Sequence, residues 1–261
     1  MRLPRCLPML APALTAAALA ACATPPPASD PAALADFKQT NDPLEPTNRV
    51  FYEVNNALDE VVLRPLAVGY INAVPDVVRA KVHNALDNLS SPVLLANDMM
   101  QGKPRLAGDT LMRFVINSTI GVGGFFDPAE GFGYPEHSSD FGITMALWGV
   151  PEGPFLYLPV LGPSDPRDAG GFGIDIVIDP FTWLGNGFVV SDMYIMRYGF
   201  TAVDARADLI PDLEKVKEQA LDPYATFRSL YRQHRHAEID KARNDNPPPP
   251  QYWNTAAPAA H

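Results

Sequence analysis

His137, Ser138, Ser139 and Asp140 place the residue types of a hydrolytic triad in four consecutive positions. A triad works because nucleophile, base and orienting acid converge from separate elements, so this run reads better as a loop leading into a helix that begins near Asp140. Gly121-Val-Gly-Gly124 offers half of a dinucleotide loop, but it follows a helical pattern instead of a strand and lacks the βαβ setting that cradles a pyrophosphate. His234 and His236 could ligate a metal. Alternate residues on a helix point different ways, however, and neighbouring Arg232 and Arg235 suit a solvated face. No G-x-S-x-G, H-E-x-x-H or paired C-x-x-C motif occurs. The expectation is a protein that is not an enzyme and carries no metal or organic cofactor.

One side chain has a definite chemical fate. Arg2 and Arg5 precede an Ala-rich apolar stretch from Leu7 to Leu19, which is the layout of an export signal. Leu19-Ala-Ala-Cys22 is similar to a bacterial lipobox, so residues 1–21 read as a lipoprotein signal peptide and Cys22 as the lipid-attachment site. Cys6 leaves with the signal and the Cys22 sulfur is consumed by diacylglycerol, so packing and not a disulfide must hold the fold. Two or three acyl chains anchor far more firmly than one. Ala23, where lipoproteins retained at the inner membrane usually have Asp, points to the outer membrane. Residues 22–40, rich in Pro and Ala, read as a lipidated tether, and residues 244–261 as a disordered C-terminal tail.

The elements between these ends are helical. Val50, Phe51, Val54, Leu58, Val61 and Val62 recur at three- and four-residue intervals and predict a helix over Asn48–Leu63, stopped by Pro65. Val78 to Leu89 predicts a second, and Ser91 with Pro92 an N-cap and first turn of a third that Gly102 closes. Leu106–Ile116, about Val189–Leu209, Pro211–Ala220 and Pro223–Ala242 add four more. Two-residue alternation is almost absent. With 261 residues, 47% hydrophobic, and no linker able to split the chain, a single mainly α domain over 41–243 is expected.

Composition narrows the partners. Thirty acidic against twenty basic residues give a net charge of −10, which repels a phosphate backbone, so no nucleic acid is expected. Phe114–Phe126 lacks any charge and Phe141–Leu161 has only Glu152, yet glycines and prolines interrupt both. Neither makes a simple membrane span, because lipid cannot satisfy a broken backbone. They suit a bilayer interface or the lining of an internal cavity, and the anchor tips the choice toward membrane contact.

Asn41-Asp-Pro-Leu-Glu-Pro-Thr-Asn-Arg49 resembles the opening signature of the MlaA (VacJ) lipoproteins. Arg113-Phe-Val-Ile-Asn-Ser-Thr119 followed by Gly121-Val-Gly-Gly-Phe-Phe-Asp127 is similar to a second signature of that family. Asp140-Phe-Gly-Ile-Thr144, Trp148-Gly-Val150, Gly153-Pro-Phe-Leu156, Leu161-Gly-Pro-Ser164 and Arg167-Asp168 resemble a third, and Asp222-Pro-Tyr224 before a basic amphipathic helix completes the series. The resemblance covers Asn41 to Ala237 in one order. It implies a ring-like helical body with a Gly-rich hairpin, lipid-anchored, seated in the inner leaflet of the outer membrane facing the periplasm, around an amphipathic channel for phospholipid. It also implies a soluble periplasmic lipid carrier (MlaC-like) and a trimeric porin as partners, in a system that maintains outer-membrane lipid asymmetry.

On this reading Asn48 and Arg49 are channel or headgroup candidates, since arginine pairs bidentately with phosphate; the plainer alternative is a cap at Asn48 and a solvated Arg49. Gly121, Gly123 and Gly124 are candidates for a hinge or gate, because glycine admits backbone angles closed to other residues; the alternative is close backbone packing beneath Phe125 and Phe126. Thr47 departs from the family's usual Phe and removes apolar surface from a membrane-facing helix. Phe155 departs from a frequent Tyr and removes a hydroxyl that could reach a headgroup. Two other classes remain open: a lipid hydrolase built on His137–Asp140, and a structural envelope lipoprotein.

Overall fold

The computed structural model describes residues 26–27, 29–183 and 188–244, so Cys22, the signal and the tail beyond 244 lie outside the described residues. The domain is mainly α, with one two-stranded hairpin. Pro31–Thr40 forms α1, which replaces the second half of the expected tether with a helix; Pro31 opens it in the first-turn position that tolerates proline, and alanines favour it.

Helix α2, Glu45–Leu58, runs through a π-helical turn, Asp59–Leu63, directly into α3, Arg64–Ala73. The expected stop at Pro65 does not occur. Proline lacks an N–H and its ring crowds the carbonyl four residues back; the wider π turn, in which the Arg64 N–H reaches back to the Asp59 carbonyl, absorbs both problems. Helix α4, Asp76–Met100, likewise passes through Pro92, so Ser91 is no N-cap. The Ser90 hydroxyl donates instead to the Leu86 carbonyl, and that of Ser91 to Asp87. Gly102, at φ +71°, ends the run as expected, with the Lys103 N–H closing back on the Asp98 carbonyl. Helix α5, Pro104–Thr119, folds back along α4 as a helical hairpin.

After the short α6, Pro128–Gly131, Asp140 caps α7, Phe141–Leu147, by accepting from the Ile143 N–H. Strands β1, Leu156–Leu158, and β2, Gly162–Ser164, pair antiparallel with Tyr157 opposite Pro163. Helices α8, Pro166–Ile178, α9, Pro180–Trp183, α10, Phe188–Asp208, α11, Ile210–Gln219, and α12, Pro223–Asn244, complete the chain. Helix α10 packs on α3 and α4, while α12 returns to α7 and β2, so the order of elements closes on itself. The aromatic core of Tyr52, Phe155, Tyr157 and Tyr224 sits where α2, the hairpin and α12 meet.

Burial runs against the soluble pattern. Among the described residues, buried polar and charged side chains outnumber buried apolar ones, whereas Val50, Val61, Met99, Val115, Ile120, Phe125, Phe126 and many other large apolar residues stand exposed. None of the described helices is long and apolar enough to cross a membrane.

Candidate functional site

Helix α12 carries Tyr224, Arg228, Tyr231 and Arg235 at offsets of four, seven and eleven, hence on one face. That face is a seam of polar groups. The Tyr224 hydroxyl donates to Asp42 Oδ2 at 2.5 Å and Arg228 Nη1 to the same oxygen at 2.7 Å. Tyr231 donates to Asp168 at 2.7 Å, and Arg235 spans Asp168 at 2.6 Å and both oxygens of Asp140 at 2.7 Å. Burial disfavours the charged guanidinium of Arg235, but the hydrogen bonds it donates to Asp140 and Asp168 outweigh it and raise its pKa. The carboxylate Asp42 belongs to the opening signature and Asp140 and Asp168 to two separate stretches of the third, and α12 draws them together. Sequence reasoning missed this role and took Arg235 as solvated; the periodic polar face was the available signal.

Asn48 is 2% exposed. Its amide N–H groups go to Asp42 at 2.8 Å and the Phe155 carbonyl at 3.0 Å, and its Oδ1 accepts from the Tyr157 N–H at 2.9 Å. It therefore neither caps α2, which starts at Glu45, nor faces a headgroup; it ties α2 to the hairpin. Arg49, half-exposed, stacks over the Tyr224 ring at 4.4 Å and bonds Asp222 at 2.6 Å and Glu45 at 2.8 Å. Phe155 is buried inside the aromatic core, so a hydroxyl there would point into protein and not at a lipid. Thr47 is partly buried in the first turn of α2.

The three glycines lie in one turn after α5. Gly121 permits a close crossing, because a Cβ would come within 2.3 Å of the Phe126 carbonyl oxygen. Gly124, at φ +94°, rests against Asn88, whose Cβ is 2.6 Å from where a side chain would begin. Gly123, at φ +72°, has open space around it. Val122 between them also adopts positive φ, at 55°.

Asn88 and Asn117, beneath this turn, line a cavity of about 290 Å³ walled by α4, α5, α8, α10 and the loop at 136–139. Its carboxylates are Asp87, Asp127, Glu136 and Asp175, and its guanidinium groups Arg113 and Arg197. Both arginines are engaged, Arg113 with Asp127 at 2.8 Å and Arg197 with Asp179 at 2.7 Å. Burial pushes the Asp87 and Asp175 carboxyls above the usual range. Against the same effect, hydrogen bonds from Asn117 and Arg113 hold Asp127 below it. Val93, Leu94 and Tyr198 supply apolar wall.

His137 also lines the cavity, and its Nε2 lies 3.0 Å from Asp98 Oδ2, to which Thr110 donates at 2.6 Å. Asp98 and Thr110 are almost fully buried. Ser139 Oγ accepts from Gln101 at 2.5 Å, and Asp140 serves α7 and Arg235. The four residues with triad chemistry therefore do not converge. His234 and His236 also part, toward Glu238 and Glu152. Among the described residues, His83, Asp204 and Asp208 bring ligand atoms within 4.8 Å of one another. His83 bridges Asp204 at 2.8 Å and Asp87 at 3.2 Å, a chain of ion pairs between α4 and α10 that no local motif announces.

Comparison with known proteins follows the same boundaries. The model of the MlaA lipoprotein family matches residues 40–238. The chain is 34% identical over 216 residues to the intermembrane phospholipid transport system lipoprotein MlaA of Haemophilus influenzae, covering 80% of this chain and 84% of that one. Identity is 33% over 201 residues to the protein of that name from Escherichia coli, covering 75% and 77%. An uncharacterized protein of Rickettsia bellii is 32% identical over 219 residues, 84% of each. A solved structure described as the structural basis for maintenance of bacterial outer membrane lipid asymmetry superposes with a TM-score of 0.66 at 29% identity, covering 76% of this chain and 98% of that one. With its four signatures meeting in one helical body of this shape, the chain belongs to the MlaA lipoprotein family.

Proposed function

We propose that this protein is the outer-membrane lipoprotein of an intermembrane phospholipid transport system. Anchored through Cys22 and seated in the inner leaflet, it admits phospholipid misplaced in the outer leaflet and passes it to a soluble periplasmic carrier of the MlaC kind, beside a trimeric porin. The observation that carries this reading is the inverted distribution of polarity, with apolar side chains outward and polar and charged side chains buried within. Apolar residues such as Val115, Ile120, Phe125 and Phe126 meet acyl chains at no hydration cost, while the cavity offers the polar surface a headgroup needs. The names of the Haemophilus and Escherichia relatives support it. The glycine turn, which touches the cavity wall through Asn88, is the gate in this reading, and Arg49 marks the headgroup level at the outer edge of α2.

The test is complementation. Cells lacking their own protein of this family should regain outer-leaflet lipid asymmetry and resistance to detergent with chelator when this chain is expressed. Purified protein incubated with phospholipid vesicles should retain intact lipid. Release of free fatty acid would move the reading to a hydrolase using the His137–Asp98 pair as base, and neither result would leave a structural envelope role.

A further inference from the structure

Two side chains of the cavity beneath the glycine turn are incompletely satisfied. Asn88, 6% exposed, gives its amide N–H to Ser118 at 3.0 Å, but its Oδ1 is buried without a protein partner. His137, with a side chain 10% exposed, has its Nε2 against Asp98, and its Nδ1 is buried without a partner. A neutral imidazole that donates through Nε2 to Asp98 presents a lone pair at Nδ1. In that tautomer both orphan atoms are acceptors. Unpaired buried polar atoms are rare in folded proteins and call for a partner that the chain does not supply.

Electrostatics gives that partner a sign. Four carboxyl groups face two guanidinium groups across the cavity, and both guanidinium groups are already paired. The wall therefore holds surplus acceptors and surplus negative charge. Both orphans are built in: Asp98 and Thr110, both almost fully buried, lock the imidazole, and Gly124 lacks the Cβ that would displace the Asn88 amide.

Resting on the phospholipid-transport reading, we propose that this cavity selects a headgroup ending in a primary ammonium, whose N–H groups donate to Asn88 Oδ1 and His137 Nδ1. Phosphatidylethanolamine meets this description. Phosphatidylcholine carries the same charge with no N–H to donate, and phosphatidylglycerol brings hydroxyls on a net negative headgroup. A site that hydrogen-bonds its ligand rejects an analogue lacking the donor, because its own polar atoms are left unpaired.

The full-length lipidated protein is incubated with vesicles containing equal phosphatidylethanolamine, phosphatidylcholine and phosphatidylglycerol of identical acyl chains, and bound lipid is identified by mass spectrometry. Phosphatidylethanolamine should be enriched at least about tenfold over phosphatidylcholine, with retention falling stepwise as the nitrogen is methylated. Asn88→Leu and His137→Phe should each reduce the enrichment, whereas His137→Gln, which keeps a donor for Asp98 and an acceptor for the ligand, should preserve it. Bound lipid without headgroup preference, or with phosphatidylglycerol enriched, overturns this proposal and leaves transport standing. Unchanged enrichment in a folded Asn88→Leu, His137→Phe double variant also overturns it. No bound lipid at all overturns both readings. The methylation series needs no variant, so the proposal stays falsifiable if the substitutions unfold the protein.

Discussion

Arg228 and Asp42 stand 186 positions apart, and the guanidinium Nη1 lies 2.7 Å from a carboxylate that is 1% exposed. Together with Tyr224 it satisfies a charge that the opening signature buries long before α12 is made. Replacing Arg228 with Met should lower unfolding free energy by about 3 kcal/mol, the scale for stranding one member of a buried pair. Denaturant titration of single and double variants checks it: Asp42→Asn should recover part of the loss.

Arg235 should matter at least as much, since it binds Asp140 and Asp168 at once. Arg235→Ala should cost about 3 to 5 kcal/mol, and Arg235→Lys, which cannot span two carboxylates in a planar fork, should recover less than half in the same titration.

The glycine turn separates packing from gating. Gly121→Ala and Gly124→Ala should both lower the melting temperature, because each Cβ meets atoms that cannot retreat cheaply. Gly123→Ala meets nothing and should cost only about 1 to 2 kcal/mol of left-handed backbone strain. If the turn gates lipid passage, Gly123→Ala cells at normal protein level will accumulate outer-leaflet phospholipid. Normal asymmetry in that strain leaves the turn with packing alone.

Arg49→Glu places a third carboxylate beside Glu45 and Asp222 and should destabilise by about 1 kcal/mol, as exposed pairs do. Adding Asp222→Arg restores the pair. Bound lipid that returns with the pair assigns Arg49 a structural role; bound lipid that stays low with stability restored assigns it to the headgroup.

His83 gives the fold a pH dependence. Burial alone would lower its pKa, but Asp204 and Asp87 raise it above the ordinary value. A folded pKa above the unfolded one, about 6.5, stabilises fully below that value, and the contribution is lost as pH rises through the folded pKa. Stability should therefore fall as pH rises above about 6.5, and His83→Gln should flatten that slope in melts across the range.

Lipidation is checked with labelled palmitate, which the wild-type chain should incorporate and Cys22→Ser should not.

Periodicity made most helices readable: Leu106–Ile116 lies inside α5, and the three C-terminal spans coincide with α10, α11 and α12. Pro65 and Pro92 misled because proline's local penalty is visible in sequence, while the π turn and the packing that absorb it are not. The site was harder to read. Asn48 was recognisable as part of a signature, but its partners at Asp42, Phe155 and Tyr157 come from two regions more than a hundred residues apart. Asp98 sits inside a helical pattern where a charge normally marks the solvated side; only the fold shows it turned inward to hold His137.

The return of α12 to the first signature also dictates an order of assembly. Asp42 leaves the ribosome well before Arg228, so its cation arrives only with the closing segment. Such distant pairings make folding slow and cooperative, because the loop must be closed before its contacts contribute. A chain truncated ahead of α12 would keep Asp42, Asp140 and Asp168 without their guanidinium partners and could not retain the buried seam. The native body is thus complete only once α12 has closed on the first signature.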